Sequence, residues 1–221
     1  MIPLKDDNPR ANFPFVTVGF IVLNLIAFLY ELQHGLAPVV QRYGAVPVNI
    51  LQGRHLETLM TSMFLHGGFM HLGGNMLYLW IFGDNVENYL GHVRFAFFYL
   101  ACGLIAAMAH IFSEAFFGGL TQVPMVGASG AVAGVLGAYV VKYPRARVLV
   151  LIPIFFFLTV RKIPALIVLG FWFVIQLLYG VSSIGSRGGG VAFWAHIGGF
   201  IAGIVLLNLF ASRKKRTVYY W

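Results

Sequence analysis

The chain has 221 residues, 59% of them hydrophobic and only 10% charged, against about 25% charged in a soluble domain. That excludes a water-soluble globular protein. It points to a helical integral membrane protein, because only helices and closed barrels satisfy their backbone in lipid and the apolar runs lack the period-2 alternation of barrel strands. The net charge of +8 is not a nucleic-acid signal, since the basic residues sit at the ends of apolar runs, where they orient a membrane protein.

In chain order, the polar start Met1 to Asn12 shows no cleavable signal, and the first apolar run is long enough to stay as a signal anchor. The first span is Pro14 to Tyr30, with Pro14 suited to a helix start and Asn24 expected to bond a neighbouring helix. Residues 31–68 are mixed, with Pro38, Arg42, Pro47, Arg54 and Glu57. They read as a structured loop lying partly in the interface, too long for a mere connection. The second span runs from Phe69 to Phe82 and on towards Leu90 as its polar end leaves the membrane. The third is Val93 to Phe112, and it holds the single cysteine, Cys102, which reads as packing. A loop from Ser113 to Pro124 precedes the fourth span, Met125 to Val141. Val148 to Val160 is apolar but short, broken by Pro153 and bounded by Arg147 and Arg161, and reads as a membrane-associated loop. The fifth span is Ile163 to Gly180. A glycine-rich loop, Ser182 to Gly190, leads to the sixth, Val191 to Ala211. The tail holds Arg213, Lys214, Lys215 and Arg216, a topology signal and headgroup contact, with Tyr219, Tyr220 and Trp221 suited to an interface.

Six spans put both termini on one side. That side carries 12 of the 15 basic residues, the other only Arg42, Arg54 and Arg187, so both termini are expected in the cytoplasm. Spans two, four and six then run from outside to inside. His71 and Asn75 open span two, Ser129 opens span four and His196 opens span six. At ~1.5 Å per residue all four lie on the order of 3–10 Å below the outer ends of their helices. Polar groups at that depth are costly unless paired and mark functional candidates. Gly130 and Gly134 lie beside Ser129, and His196, Gly199 and Gly203 share a face. These small-residue surfaces let two backbones approach closely, as a Ser–His hydrogen bond requires. None of the seven acidic residues lies within a span at the depth of His196, so a Ser129 nucleophile with a His196 base is expected to work as a dyad. Asn75, His71 and the backbone N–H of Ser129 are the candidate oxyanion donors. His92 and His110 read as interface or packing residues.

Three motifs together resemble the rhomboid family of intramembrane serine proteases: Thr61 to Met76 (TSMFLHGGFMHLGGNM), Gly127-Ala128-Ser129-Gly130, and Ala195-His196-Ile197-Gly198-Gly199. Their order and their placement on spans two, four and six match the family over residues 12–211. The resemblance implies an all-α polytopic fold, a six-helix rhomboid-like bundle with a long first loop partly in the membrane. It implies a cytoplasmic N-terminal tail at 1–11, the membrane domain at 12–211 and a basic cytoplasmic tail at 212–221. It implies that Ser129 is the nucleophile, His196 the general base, and that His71 and Asn75 help form the oxyanion hole. His66 would anchor the first loop, with Gly127, Gly130 and Gly199 structural near the site.

Substrates would be transmembrane proteins in the lipid bilayer, cut near the outer face, and the fifth span with the loop after it would move to admit them. Phe171 and Trp172 are candidates for that gate. No cofactor, metal or nucleic acid is expected, and a prokaryotic cytoplasmic membrane is the expected location. The chain departs from the family at Ala133, where many members carry an aromatic residue stacked on the histidine, and near Leu59, where members often carry Trp. The rival readings are a catalytically silent relative that binds membrane clients and a His-lined ion or metal transporter using His66, His71 and His196.

Overall fold

A computed structural model describes residues 1–9, 12–117, 120–154, 157–184 and 191–211. Arg10, the end of the loop after Ser182 and the basic tail at 212–221 lie outside the described residues. Six helices form the body: α1 (Phe15–His34), α5 (Phe69–Leu90), α6 (His92–Phe117), α7 (Ser129–Lys142), α8 (Ala165–Ser182) and α9 (Phe193–Phe210). Between α1 and α5, the segment read as a structured loop carries three short helices, α2 (Leu36–Tyr43), α3 (Pro47–Leu51) and α4 (Thr58–Thr61), and a 3₁₀ turn at Ser62–Phe64. By length and composition α1, α6, α8 and α9 can each cross a membrane, and α7 is a shorter apolar helix.

The centre of the bundle is α7. Every residue from Gly130 to Tyr139 is buried, against α5, α6 and α9. Its 14 residues reach only about 21 Å, short of a hydrocarbon core of about 30 Å. A helix this short with Lys142 at one interface therefore begins, at Ser129, well below the opposite one. The span expected from Met125 starts four residues later because Met125 is held extended against Ala45, the two exchanging backbone hydrogen bonds of 2.8 and 3.0 Å.

Among the described residues, three of the buried carboxylates tie distant segments of the bundle together. Glu87 on α5 accepts from the backbone of Val16 (2.9 Å) and Thr17 (2.7 Å) and from the Thr17 hydroxyl (2.6 Å), so it satisfies amides that the start of α1 leaves without intrahelical partners. His92 also contacts Glu87. Glu31, at the other end of α1, accepts the backbone N–H of His66 at 2.9 Å. Asn24, expected to reach a neighbouring helix, instead donates to the Phe20 carbonyl at 2.7 Å, one turn back on its own helix, where an acceptor is always in range.

The third carboxylate belongs to a part of the fold that hydropathy concealed. The described part of the segment read as a membrane-associated loop, 148–154 and 157–160, belongs to two strands, β2 (Arg147–Ile154) and β3 (Phe157–Pro164), paired antiparallel. The start of the chain adds β1 (Ile2–Asp6) to the edge of β2, with a register irregularity between Pro3 and Lys5. Asp6 then turns inward. It accepts from the Tyr139 hydroxyl on α7 (2.7 Å) and from Asn85 on α5 (2.9 Å). Burial pushes its carboxyl above the usual carboxylate range, against the hydrogen bonds from Tyr139 and Asn8, which pull it down. The sheet joins the inner end of α7 to the inner end of α8, and the Ala165 N–H opens α8 by donating to Ala146 at 2.7 Å.

Candidate active site

The N-terminal end of α7 faces a cavity of about 880 Å³ between α5, α6, α8 and α9. Ser129, His71, Asn75 and His196 all line it, so the three helices that carry them deliver four polar side chains to one space. The Ser129 Oγ lies 2.8 Å from His196 Nε2.

That distance depends on how α7 meets α9. A Cβ on Gly199 would lie 2.0 Å from the Gly130 carbonyl oxygen, and one on Gly203 would lie 1.9 Å from that of Gly134. Backbone touches backbone at both points, which glycine alone permits. Ser129 is also held from the other side. The backbone N–H of Gly127 donates to the Ser62 carbonyl at 2.9 Å, tying the segment before the serine to the first loop. Gly127 has φ +130°, and a Cβ there would meet His71 Nε2 at 2.8 Å, so the position needs glycine for conformation and for space.

The remaining expected residues are placed as follows. The His71 ring packs beside Gly127, and its Nδ1 accepts a long 3.4 Å contact from the Gly67 N–H. Asn75 is buried, and its amide nitrogen lies 3.0 Å from His66 Nε2. His66 is fully buried, its backbone held by Glu31. With Asn75 donating to His66, one N–H of its amide is engaged and the other is left for the cavity.

Three residues reach the site that the sequence reading did not bring there. Gln176, on α8, is buried, and its Oε1 lies 2.8 Å from His196 Nδ1. A lone polar side chain inside an apolar run was the available signal. The 2.8 Å contact itself puts Gln176 at the level of His196. Glu114 and His110 line the cavity. They pair at 3.2 Å. The third span runs on to Phe117 rather than Phe112, and the extra turn carries Glu114 to the depth where no acid was expected. Its oxygens are occupied by His110 and by the backbone and hydroxyl of Thr121 (2.9–3.1 Å), leaving His196 to Gln176.

Ala133 is buried and offers no ring. The His196 imidazole instead meets Trp172 of α8, centroids 5.8 Å apart and 35° between planes, and Phe193 edge-on at 6.4 Å. Among the described residues no group of three or more His, Cys, Asp or Glu side chains converges as a metal site. A hydroxyl that donates to an imidazole, beside a cavity with amide and imidazole donors, has the parts for nucleophilic attack on a carbonyl.

Comparison with known proteins bears on the same residues. The family described as Rhomboid domain matches residues 53–213, a span that includes Ser129, His196, His71, Asn75 and Gln176. The chain is 33% identical over 195 residues to "Rhomboid protease GluP" of Bacillus subtilis, covering 86% of this chain and 34% of that one. It is 31% identical over 178 residues to "RHOMBOID-like protein 1" of Arabidopsis thaliana, covering 80% and 40%. It is 29% identical over 150 residues to "Rhomboid protein 1, mitochondrial" of Saccharomyces cerevisiae, covering 67% and 40%. The chain thus spans well under half the length of these curated relatives.

Proposed function

The chain belongs to the rhomboid family, and from that premise we propose that it is an intramembrane serine endopeptidase in which Ser129 is the nucleophile and His196 the general base. The observation that carries this reading is the 2.8 Å contact between Ser129 Oγ and His196 Nε2 at the wall of the cavity. The Ser129 proton passes to Nε2 as Oγ bonds to the scissile carbonyl carbon. The oxyanion that forms is met by Asn75, by His71 and by the Ser129 N–H, an amide that a helix start leaves without an intrahelical partner. His196 then gives the proton to the leaving amine as the C–N bond breaks. Water repeats the sequence on the acyl-enzyme, and Oγ leaves.

The substrate class is a transmembrane protein whose helix unwinds locally near the outer face, because a helix hides its scissile carbonyl. The membrane domain is taken as residues 12–211, flanked by tails at 1–11 and 212–221. We carry the finer placement with it: a prokaryotic cytoplasmic membrane, both termini on the cytoplasmic side. The strongly unequal basic residues on the two sides support the orientation.

Cleavage of a single-span reporter by purified protein in liposomes tests the reading. Wild type should cut, and Ser129→Ala and His196→Ala should each lose at least about 10³-fold in rate with unchanged thermal unfolding. A serine-directed fluorophosphonate should label wild type and not Ser129→Ala. Equal cleavage by all three proteins would refute the assignment.

A further inference from the structure

The Ser129–His196 contact requires more than proximity. A neutral imidazole carries one ring proton, and only the tautomer with a bare Nε2 can take the proton of the serine hydroxyl. In soluble serine proteases a buried carboxylate selects that tautomer. Here the acidic side chain in the cavity, Glu114, is engaged by His110 and Thr121, and the other titratable groups facing the ring are His71 on α5 and His110 on α6.

We infer that Gln176 is the positioning residue for His196: its side-chain oxygen accepts the Nδ1 proton and so keeps Nε2 bare towards Ser129. This deepens the dyad reading and rests on it. Both ring nitrogens have a polar partner at 2.8 Å, Gln176 Oε1 on one side and Ser129 Oγ on the other. A carboxamide oxygen only accepts, so the ring proton lies on Nδ1 and the hydroxyl donates to Nε2. When His196 takes the serine proton, the same oxygen faces an imidazolium N–H and still accepts from it. An uncharged acceptor fits this depth, where a carboxylate would carry a larger desolvation cost.

The surroundings of Gln176 support a dedicated role. The C-terminal half of α8 is largely exposed on the bundle surface, with Val174, Leu178, Tyr179 and Val181 all outward. Trp172, Gln176 and Gly180 recur every four residues and share the face that meets α9. Trp172 lies tilted against the His196 ring, Gln176 meets its Nδ1, and Gly180 gives clearance, since a Cβ there would come to 3.1 Å from Ile197 Cδ1. The base on α9 is therefore oriented by a neighbouring helix, and the reactive arrangement is complete only while α8 is seated on α9.

The test uses full-length protein in detergent and liposomes, with Gln176→Leu, Gln176→Met and Gln176→Glu. Each is read by reporter kcat and KM, by the rate of fluorophosphonate labelling at Ser129, and by the thermal midpoint. Gln176→Leu and Gln176→Met should lower kcat and labelling rate by about 10–100-fold, with KM within about twofold and an unchanged midpoint. Gln176→Glu, which keeps an acceptor oxygen at the same reach, should stay within several-fold of wild type. Full kcat in Gln176→Leu would overturn the inference. So would equal losses in all three variants, or losses confined to KM or the midpoint, since either would make Gln176 a packing contact. Failure of wild type itself to cut the reporter or take the probe would instead overturn the dyad reading, and this inference with it.

Discussion

Helix α9 is gripped on two sides in different ways. Against α7 the contact is backbone on backbone. Besides Gly199 and Gly203, a Cβ on Gly137 would lie 2.1 Å from the Phe200 carbonyl oxygen, so the two helices interlock along about two turns of α7. Against α8 the contact is made by side chains: Trp172 and Phe173 beside Phe200, Trp172 over His196, and Gln176 at the edge of that ring. A backbone contact cannot relax by a rotamer change, so it fixes how far Ser129 is from His196. A side-chain contact can be broken and remade, so it fixes how the imidazole is turned while leaving α8 separable. The inner end of α8 is firmly held by the sheet and by the Ala165–Ala146 hydrogen bond. Its outer end depends on the few side chains that form part of the site.

The comparison breaks hardest at Gly203. Gly203→Ala would drive a methyl group against the Gly134 carbonyl, carbon and Cα, none of which has a rotamer to yield. It should lose about 3 kcal/mol or more of stability, seen as a large drop in the midpoint of thermal unfolding in detergent, and activity should fall with it. A mild effect there would mean that α7 and α9 are not locked. Trp172→Ala should act on the other kind of contact. Loss of the ring over His196 should reduce kcat by roughly 3–10-fold, the equivalent of about 0.5–1.5 kcal/mol for an aromatic contact, while the midpoint moves little compared with Gly203→Ala. A large loss of stability with unaltered kcat would reverse the roles assigned to the two sides. The smallest effect belongs to Gly170→Ala on α8, where a Cβ has nothing within 4 Å. Stability should change by less than about 1 kcal/mol, with the sign favouring alanine as the better helix former. A sharp loss of stability there would reveal a close contact on the α8 surface and would end the contrast.

How far the sequence reached can be followed residue by residue. Ser129 and His196 were legible because each sits among glycines at the outer start of an apolar run, and the basic residues fix which ends share a side. His71 and Asn75 were legible for the same reason, since depth along a span is nearly one-dimensional. Gln176 shares that depth, but which way it faces depends on the rotation of α8 about its own axis, which the chain alone does not specify. Glu114 was set aside on a helix end placed five residues early, a boundary that hydropathy draws only loosely. Trp172 was legible as a gate candidate, but its place over the ring, where Ala133 offers none, could not be read from the chain.

The clearest divide between the two levels is at the inner face. Hydropathy makes Val148 to Val160 an apolar run and nothing more, because burial against a sheet partner and burial in lipid select the same residues. Its strand partner, Ile2–Asp6, lies more than 140 positions away in register, and no local pattern carries that pairing. By itself the sequence determined a membrane-spanning helical chain and the place of its polar residues along each helix, because transfer into lipid acts on each segment alone. Only the tertiary structure decided which residues touch: the Gly–backbone lock between α7 and α9, the Asp6 cluster, and the Gln176–His196–Ser129 line. Those depend on helix rotation and long-range pairing, which are fixed by packing all the segments at once.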